Sequence, residues 1–153
     1  MTLVVDISSH GYGHLMQIAP VVRALKRLRP RLRVVARCDL PRKVIADALG
    51  PEVGLAPGPL DIGMVMSAPH LVNREATWQA YRELFTNLDQ ITKTEVTALK
   101  AIDAKGVLAD IAFTGIRAAS LMGYHPSHCP HCTGAKWSGT TWEICPKGPP
   151  SLA

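Results

Sequence analysis

The sequence predicts an α/β fold, a Rossmann-like parallel sheet with flanking helices, and three observations carry that expectation. Apolar, β-rich runs alternate with stretches of helical periodicity, the pattern of βαβ units. The first run, "TLVVDI" (2–7), is short and continuously apolar, as in a strand buried on both faces. A glycine turn, "SSHGYGH" (8–14), then joins that strand to an amphipathic stretch, the order of a strand–turn–helix unit.

The elements follow in order. "LMQIAPVVRALKRLR" (15–29) places Leu15, Ile18, Val21, Val22, Leu25 and Leu28 on one helical stripe, with Pro20 tolerated by local distortion in the early turns. "RLRVVAR" (31–37) reads as the second strand. "LPRKVIADALG" (40–50) reads as a helix with Pro41 in its first turn and Gly50 at its end. "GLAPGPLDIG" (54–63) is a loop around at most one short strand. Asn73 to about Ile102 reads as one long helix or two, with Trp78, Tyr81, Phe85, Leu88 and Ile91 as its core stripe. "GVLADIA" (106–112) is a further strand, and "FTGIRAASLMG" (113–123) a helix of small residues.

The chain has 153 residues, enough for one domain with a real core. Apolar residues make up 47% and charged residues 19%, ordinary for a globular protein. No apolar run approaches the roughly 20 residues of a membrane helix. The N-terminus lacks the basic region and cleavage site of a signal peptide, so a cytoplasmic location is expected. The formal net charge is +5, and nine Lys or Arg against one acid, Asp39, lie between Arg23 and Lys43. That run suits a solvated helix face, a phosphate-bearing substrate or peripheral contact with an anionic membrane. No aromatic residue interleaves with it, so nucleic acid is not the expected partner.

Composition changes after Gly123. The last thirty residues hold five of the twelve prolines, three of the four cysteines and three of the six histidines. Among Leu, Ile, Val and Met they hold only Ile144 and Leu152, and no periodicity is visible. Residues 124–153 are therefore expected to be an irregular, disordered tail on a domain of residues 1–123. Cys129 and Cys132 form a C-x-x-C with Cys145 and the three histidines nearby, a weak zinc half-site that lacks its second half. Metal is not expected to bind. The α/β pattern breaks where another strand is due, as a change of reading frame would produce.

The glycine turn carries the chemistry. It lies at the carboxyl end of a parallel strand, where ligands bind, and at a helix N-terminus, where free N–H groups favour anions. His10 and His14 are imidazoles able to accept a hydroxyl proton near neutral pH. Either could instead cap or pack against the helix start. Ser9, Gly11, Tyr12 and Gly13 complete the loop as ligand-lining residues. Asp110, ending a buried strand, faces the same cleft by topology and either orients a substrate hydroxyl or is a solvated loop acid. Asp6 is read as supporting the turn. Gly11-Tyr12-Gly13-His14 does not complete a G-x-G-x-x-G fingerprint, so a classical dinucleotide site is not indicated.

"VVDISSHGYGHLMQIAPVVRALKR", "RVVARCDLPRKVIADALG", "LDIGMVM" and "ADIAF" together resemble the N-terminal half of GT-B-fold glycosyltransferases, over about residues 2–123. The look is closest to bacterial glycosyltransferase-like proteins related to the N-terminal domain of plant L-arabinokinase. It is more distant to the N-acetylglucosaminyltransferase that makes lipid II. The resemblance implies one acceptor-side half of a two-half fold, with the donor-binding half missing and no cofactor beyond a nucleotide-sugar substrate. It implies that His14 or His10 is the base that deprotonates the acceptor hydroxyl, and that Gly11 and Gly13 let the backbone approach the donor diphosphate. Ser9 stands where the family pattern has a glycine. A truncated chain of this kind is expected to be inactive alone. The other functional classes are a non-catalytic nucleotide- or phosphate-binding module and a zinc-binding interaction protein organised by the tail.

Overall fold

The computed structural model describes residues 1–59, 61–124, 135–137 and 142–144. Four parallel strands form its centre: β1 (Thr2–Ile7), β2 (Arg33–Arg37), β3 (Gly54–Ala56) and β6 (Gly106–Asp110), in the order β3-β2-β1-β6. The connections are α1 (Tyr12–Leu28), α2 (Arg42–Leu49) and, before β6, the hairpin β4 (Met66–Ala68) and β5 (Leu71–Val72) with α3 (Arg74–Thr86) and α4 (Leu88–Ala101). α5 (Phe113–Leu121) follows β6. Within 124–153 the strands β7 (Ala135–Trp137) and β8 (Trp142–Ile144) pair antiparallel. The chain is thus α/β with a Rossmann-like parallel sheet flanked by helices. Cys129, Cys132, Cys145 and the histidines beside them lie outside the described residues.

Successive residues of β1 serve opposite faces, as strand geometry requires. Val5 and Ile7 join Leu15, Ile18 and Val22 of α1 and Ile45 and Leu49 of α2 in one core. Val4 joins Leu99 of α4, Val107 of β6 and Ala118 and Ala119 of α5 in the other. Every residue of β1 except half-buried Leu3 is buried, so the continuously apolar run is a strand covered on both faces.

Three expectations change on the structure. The α1 stripe is buried at Leu15, Ile18 and Val22, but Val21 is exposed and Leu28 is 76% exposed. A 17-residue helix is about 25 Å long and the strands beneath it span about 17–20 Å, so its last turn, which carries Leu28, overruns the sheet. Because α1 begins at Tyr12, within the glycine turn, Pro20 sits inside the helix rather than in its first turns. The region 74–101 is two helices, α3 starting at Asn73, whose side chain accepts from the Ala76 N–H at 2.9 Å, and α4 following Asn87. Its aromatic stripe is not core: Trp78 and Phe85 are exposed, and α3 contributes no residue to either core cluster. The buried side chains there are Leu84, Thr92, Glu95 and Leu99. Phe85 instead stacks on Tyr81 and on Phe113, with centroids 6.5 and 6.1 Å apart, which gives Phe113 a partner. Asp6, finally, does not support the turn. It is fully buried in an ion pair with Arg37.

Candidate active site

The site forms where β1 and β6 end side by side, with Ile7 and Asp110 as register partners. After Ile7 the chain must reverse into α1. Gly11, at φ 129° and ψ 163°, makes that turn in a conformation that side chains disfavour. A Cβ at Gly11 or at Gly13 would meet nothing within 4 Å, so the first turn of α1 is left uncovered. It carries no acidic residue and no side-chain cap, which leaves its N–H groups and the helix dipole open to an anion.

His14 is the third residue of α1, and its Nδ1 lies 2.9 Å from Asp110 Oδ2. The two side chains are 26% and 15% exposed, sheltered but reachable. An ionised carboxylate can only accept, so in the neutral imidazole Nδ1 is the nitrogen that donates to it and Nε2 is left as the acceptor. Asp110 is followed by Ile111 at φ 67°, a conformation that is costly for a β-branched residue. The Ala112 N–H closes the turn onto the Asp110 carbonyl at 2.8 Å. This strained corner ends β6 beneath the imidazole, and Ile111 is left exposed beside it.

His10 is placed differently. Its Nε2 is 3.2 Å from the Asp61 carbonyl oxygen and 3.7 Å from the Asp61 carboxylate. A Cβ at Gly63 would collide with its ring, so that glycine is what lets the 61–63 segment pack on the imidazole. Tyr81 fixes the same segment by donating to the Ile62 carbonyl. Ser9 also turns to a neighbouring loop: its Oγ accepts from the Asp39 N–H at 2.9 Å and lies 3.7 Å from Cys38 Sγ. Asp39 in turn accepts from the Gly58 N–H at 2.8 Å. Tyr12 is exposed on the rim. The structure therefore brings His14 and Asp110 together, and gives His10 and Ser9 to the loops that follow β2 and β3.

Behind the pair lies an ionic cluster. Arg37 Nε and Nη2 donate to the two Asp6 oxygens at 2.6 Å each, and Nη1 lies 2.7 Å from Glu95 Oε2. All three side chains are buried. Burial pushes the Asp6 carboxyl above its ordinary range; the bonds from Arg37 oppose that, and the nearby charge of Glu95 adds to it. The readable signal is a charged residue set within or at the end of an apolar run, Asp6 after Val4-Val5 and Arg37 after Val34-Val35-Ala36. Among the described residues, no group of His, Cys, Asp and Glu is placed to hold a metal ion, and no helix is long and apolar enough to cross a membrane.

No protein-family model matches the sequence, and no curated protein matches it. A solved structure similar to the chain is a UGT transferase from Siraitia grosvenorii in complex with UDP, at 16% identity and a TM-score of 0.49. The match covers 82% of this chain and 27% of that one, so the chain spans about a quarter of the length of the structure it resembles.

Proposed function

We propose that this chain is the acceptor-side half of a GT-B-like glycosyltransferase, of the kind related to the N-terminal domain of plant L-arabinokinase. The observation that carries the reading is the His14–Asp110 hydrogen bond at the carboxyl ends of two adjacent parallel strands. In this role His14 Nε2 takes the proton of an acceptor hydroxyl. The freed oxygen attacks the anomeric carbon of a nucleotide sugar, and the bond from that carbon to the diphosphate oxygen breaks. Asp110 holds the ring in the working tautomer and stabilises the imidazolium that forms. The open first turn of α1 is suited to the negative charge of the leaving diphosphate. The ring of His10, held against the 61–63 segment, serves to shape the cleft.

Orientation of donor and acceptor supplies about 7–11 kcal/mol in well-aligned reactions. In a GT-B arrangement a second half facing the cleft provides that orientation. The chain alone is thus expected to bind but not to turn over. The test is nucleoside diphosphate release from common nucleotide sugars with broad acceptor mixtures, for the chain alone and joined to a donor-binding half. In the joined form His14→Ala is expected to lower turnover about 10²–10⁴-fold, and Asp110→Asn to lower it by freeing the wrong tautomer. Unchanged turnover in His14→Ala would remove its assignment as the base, and a loss in His10→Ala alone would move that role to His10. A second reading, a phosphate-binding module without catalysis, is favoured by the uncapped α1 N-terminus alone. Diphosphate binding in the joined form that is unaffected by His14→Ala, with no sugar transfer, would select it.

A further inference from the structure

The basic run between Arg23 and Lys43 does not stay together in three dimensions. Arg37 is taken into the core by Asp6 and Glu95. Arg42 and Lys43 open α2, which starts at the carboxyl end of β2. The other six, Arg23, Lys26, Arg27, Arg29, Arg31 and Arg33, gather at the end of α1 and in its connection to β2. That is the amino edge of the parallel sheet, opposite the edge that carries His14 and Asp110. The five arginines are exposed, while Lys26 is half-buried and donates to the Leu32 carbonyl at 3.1 Å.

The counter-charges there are few. Asp47 is already paired with Lys43 at 2.8 Å, and Asp103 with Lys105 at 2.6 Å. Glu52 lies near the Arg23–Arg27 stretch, across a shallow depression. Arg23 reaches only the Asp47 carbonyl, at 3.2 Å. In the middle of these cations Leu28 projects with 76% of its surface exposed, between Arg27 and Arg29 and just before Pro30.

We propose that this edge docks on an anionic phospholipid surface, with the arginines on the phosphates and Leu28 inserted at the headgroup–acyl boundary. Guanidinium forks pair with phosphates, and each basic residue near such a surface strengthens attachment about fivefold. The apolar residue among the arginines favours lipid over a polyanion in water, because only lipid gives that side chain a place to go. No aromatic residue between positions 23 and 43 is available to stack on bases. Docking in this way leaves the carboxyl edge, and the site on it, facing the solvent. The proposal stands independently of the enzymatic reading.

The experiment is co-flotation of the full chain with phosphatidylserine–phosphatidylcholine vesicles, mixed about 3:7, against vesicles of phosphatidylcholine alone, at about 0.1 M salt. Binding is expected to the first only, and to fall as salt rises. Replacing Arg27, Arg29 and Arg31 by Gln should weaken it about 100-fold, and replacing them by Lys should retain most of it. Leu28→Ser, which leaves the charge unchanged, should weaken it several-fold. These side chains are exposed, so an unchanged circular-dichroism spectrum will confirm that each variant is folded. Equal binding to neutral vesicles, full binding by the triple Gln variant, or no effect of Leu28→Ser would overturn the proposal. Tighter retention of the chain by single-stranded RNA than by the anionic vesicles would assign the edge to nucleic acid instead.

Discussion

Asp6 and Arg37 are register partners on adjacent parallel strands, each the one charged residue in a buried stretch. With Glu95 they place one guanidinium between two carboxylates away from water. Removing the cation leaves both carboxylates buried without it. Arg37→Met is therefore expected to destabilise the fold by about 3–5 kcal/mol at neutral pH. The pH dependence has a definite sign. The folded Asp6 carboxyl titrates above its unfolded value, so at pH values between the two the folded state holds a proton that the unfolded state has lost. For such a group, lowering the pH through the folded value favours the fold. In Arg37→Met the opposing hydrogen bonds are gone, the folded value rises further, and the deficit should shrink as pH falls from neutral towards the ordinary carboxylate range. Urea titrations at several pH values measure this, and a deficit independent of pH would contradict it.

α5 reaches the sheet because of what it lacks. Ala118 and Ala119 bring its backbone close to Val4 and Val107, and Gly115 faces the Asp6 carboxylate directly. A Cβ at Gly115 would collide with Asp6 Oδ2 and stand 3.1 Å from Arg37 Nη2. Both groups are locked in a bidentate pair and cannot yield cheaply. Gly115→Ala should thus destabilise by about 1–3 kcal/mol, although alanine is the better helix former. Thermal unfolding tests it, and a raised melting temperature would mean that α5 stands further from β1. Because α5 follows Asp110 by only two residues, the same substitution should also disturb the His14–Asp110 distance.

Taken whole, the molecule is a sheet with two unlike edges. The carboxyl edge carries the imidazole–carboxylate pair and an uncapped helix start, and the amino edge carries exposed arginines. β1 lies between β2 and β6 and is covered on both faces, so its amides open only when the domain unfolds. Hydrogen exchange should be slowest at Val4, Val5 and Asp6, and faster in β3 and in the β4–β5 hairpin. β3 is a three-residue strand at the end of the sheet, and the hairpin is exposed or half-buried throughout. Equal protection of the hairpin and β1 would show cooperative unity that this architecture does not provide.

Local pattern determined most of the elements. "TLVVDI" reads as a strand, "VIADALG" as a helix ended by glycine, and "SSHGYGH" as a glycine turn into a helix, because each is set by pattern and backbone preference within a few residues. Tertiary structure decided what those residues meet. His14 and Asp110 are 96 positions apart, and only the pairing of β6 with β1 makes them neighbours. The pairing of β1 with β2 on its other side turned Arg37 from one of nine cations into a buried partner of Asp6. The stripe through Trp78 and Phe85 has the spacing of a core helix, yet periodicity reports only that one face is apolar. Whether that face meets the sheet depends on where the helix lies, and no local interaction encodes that position.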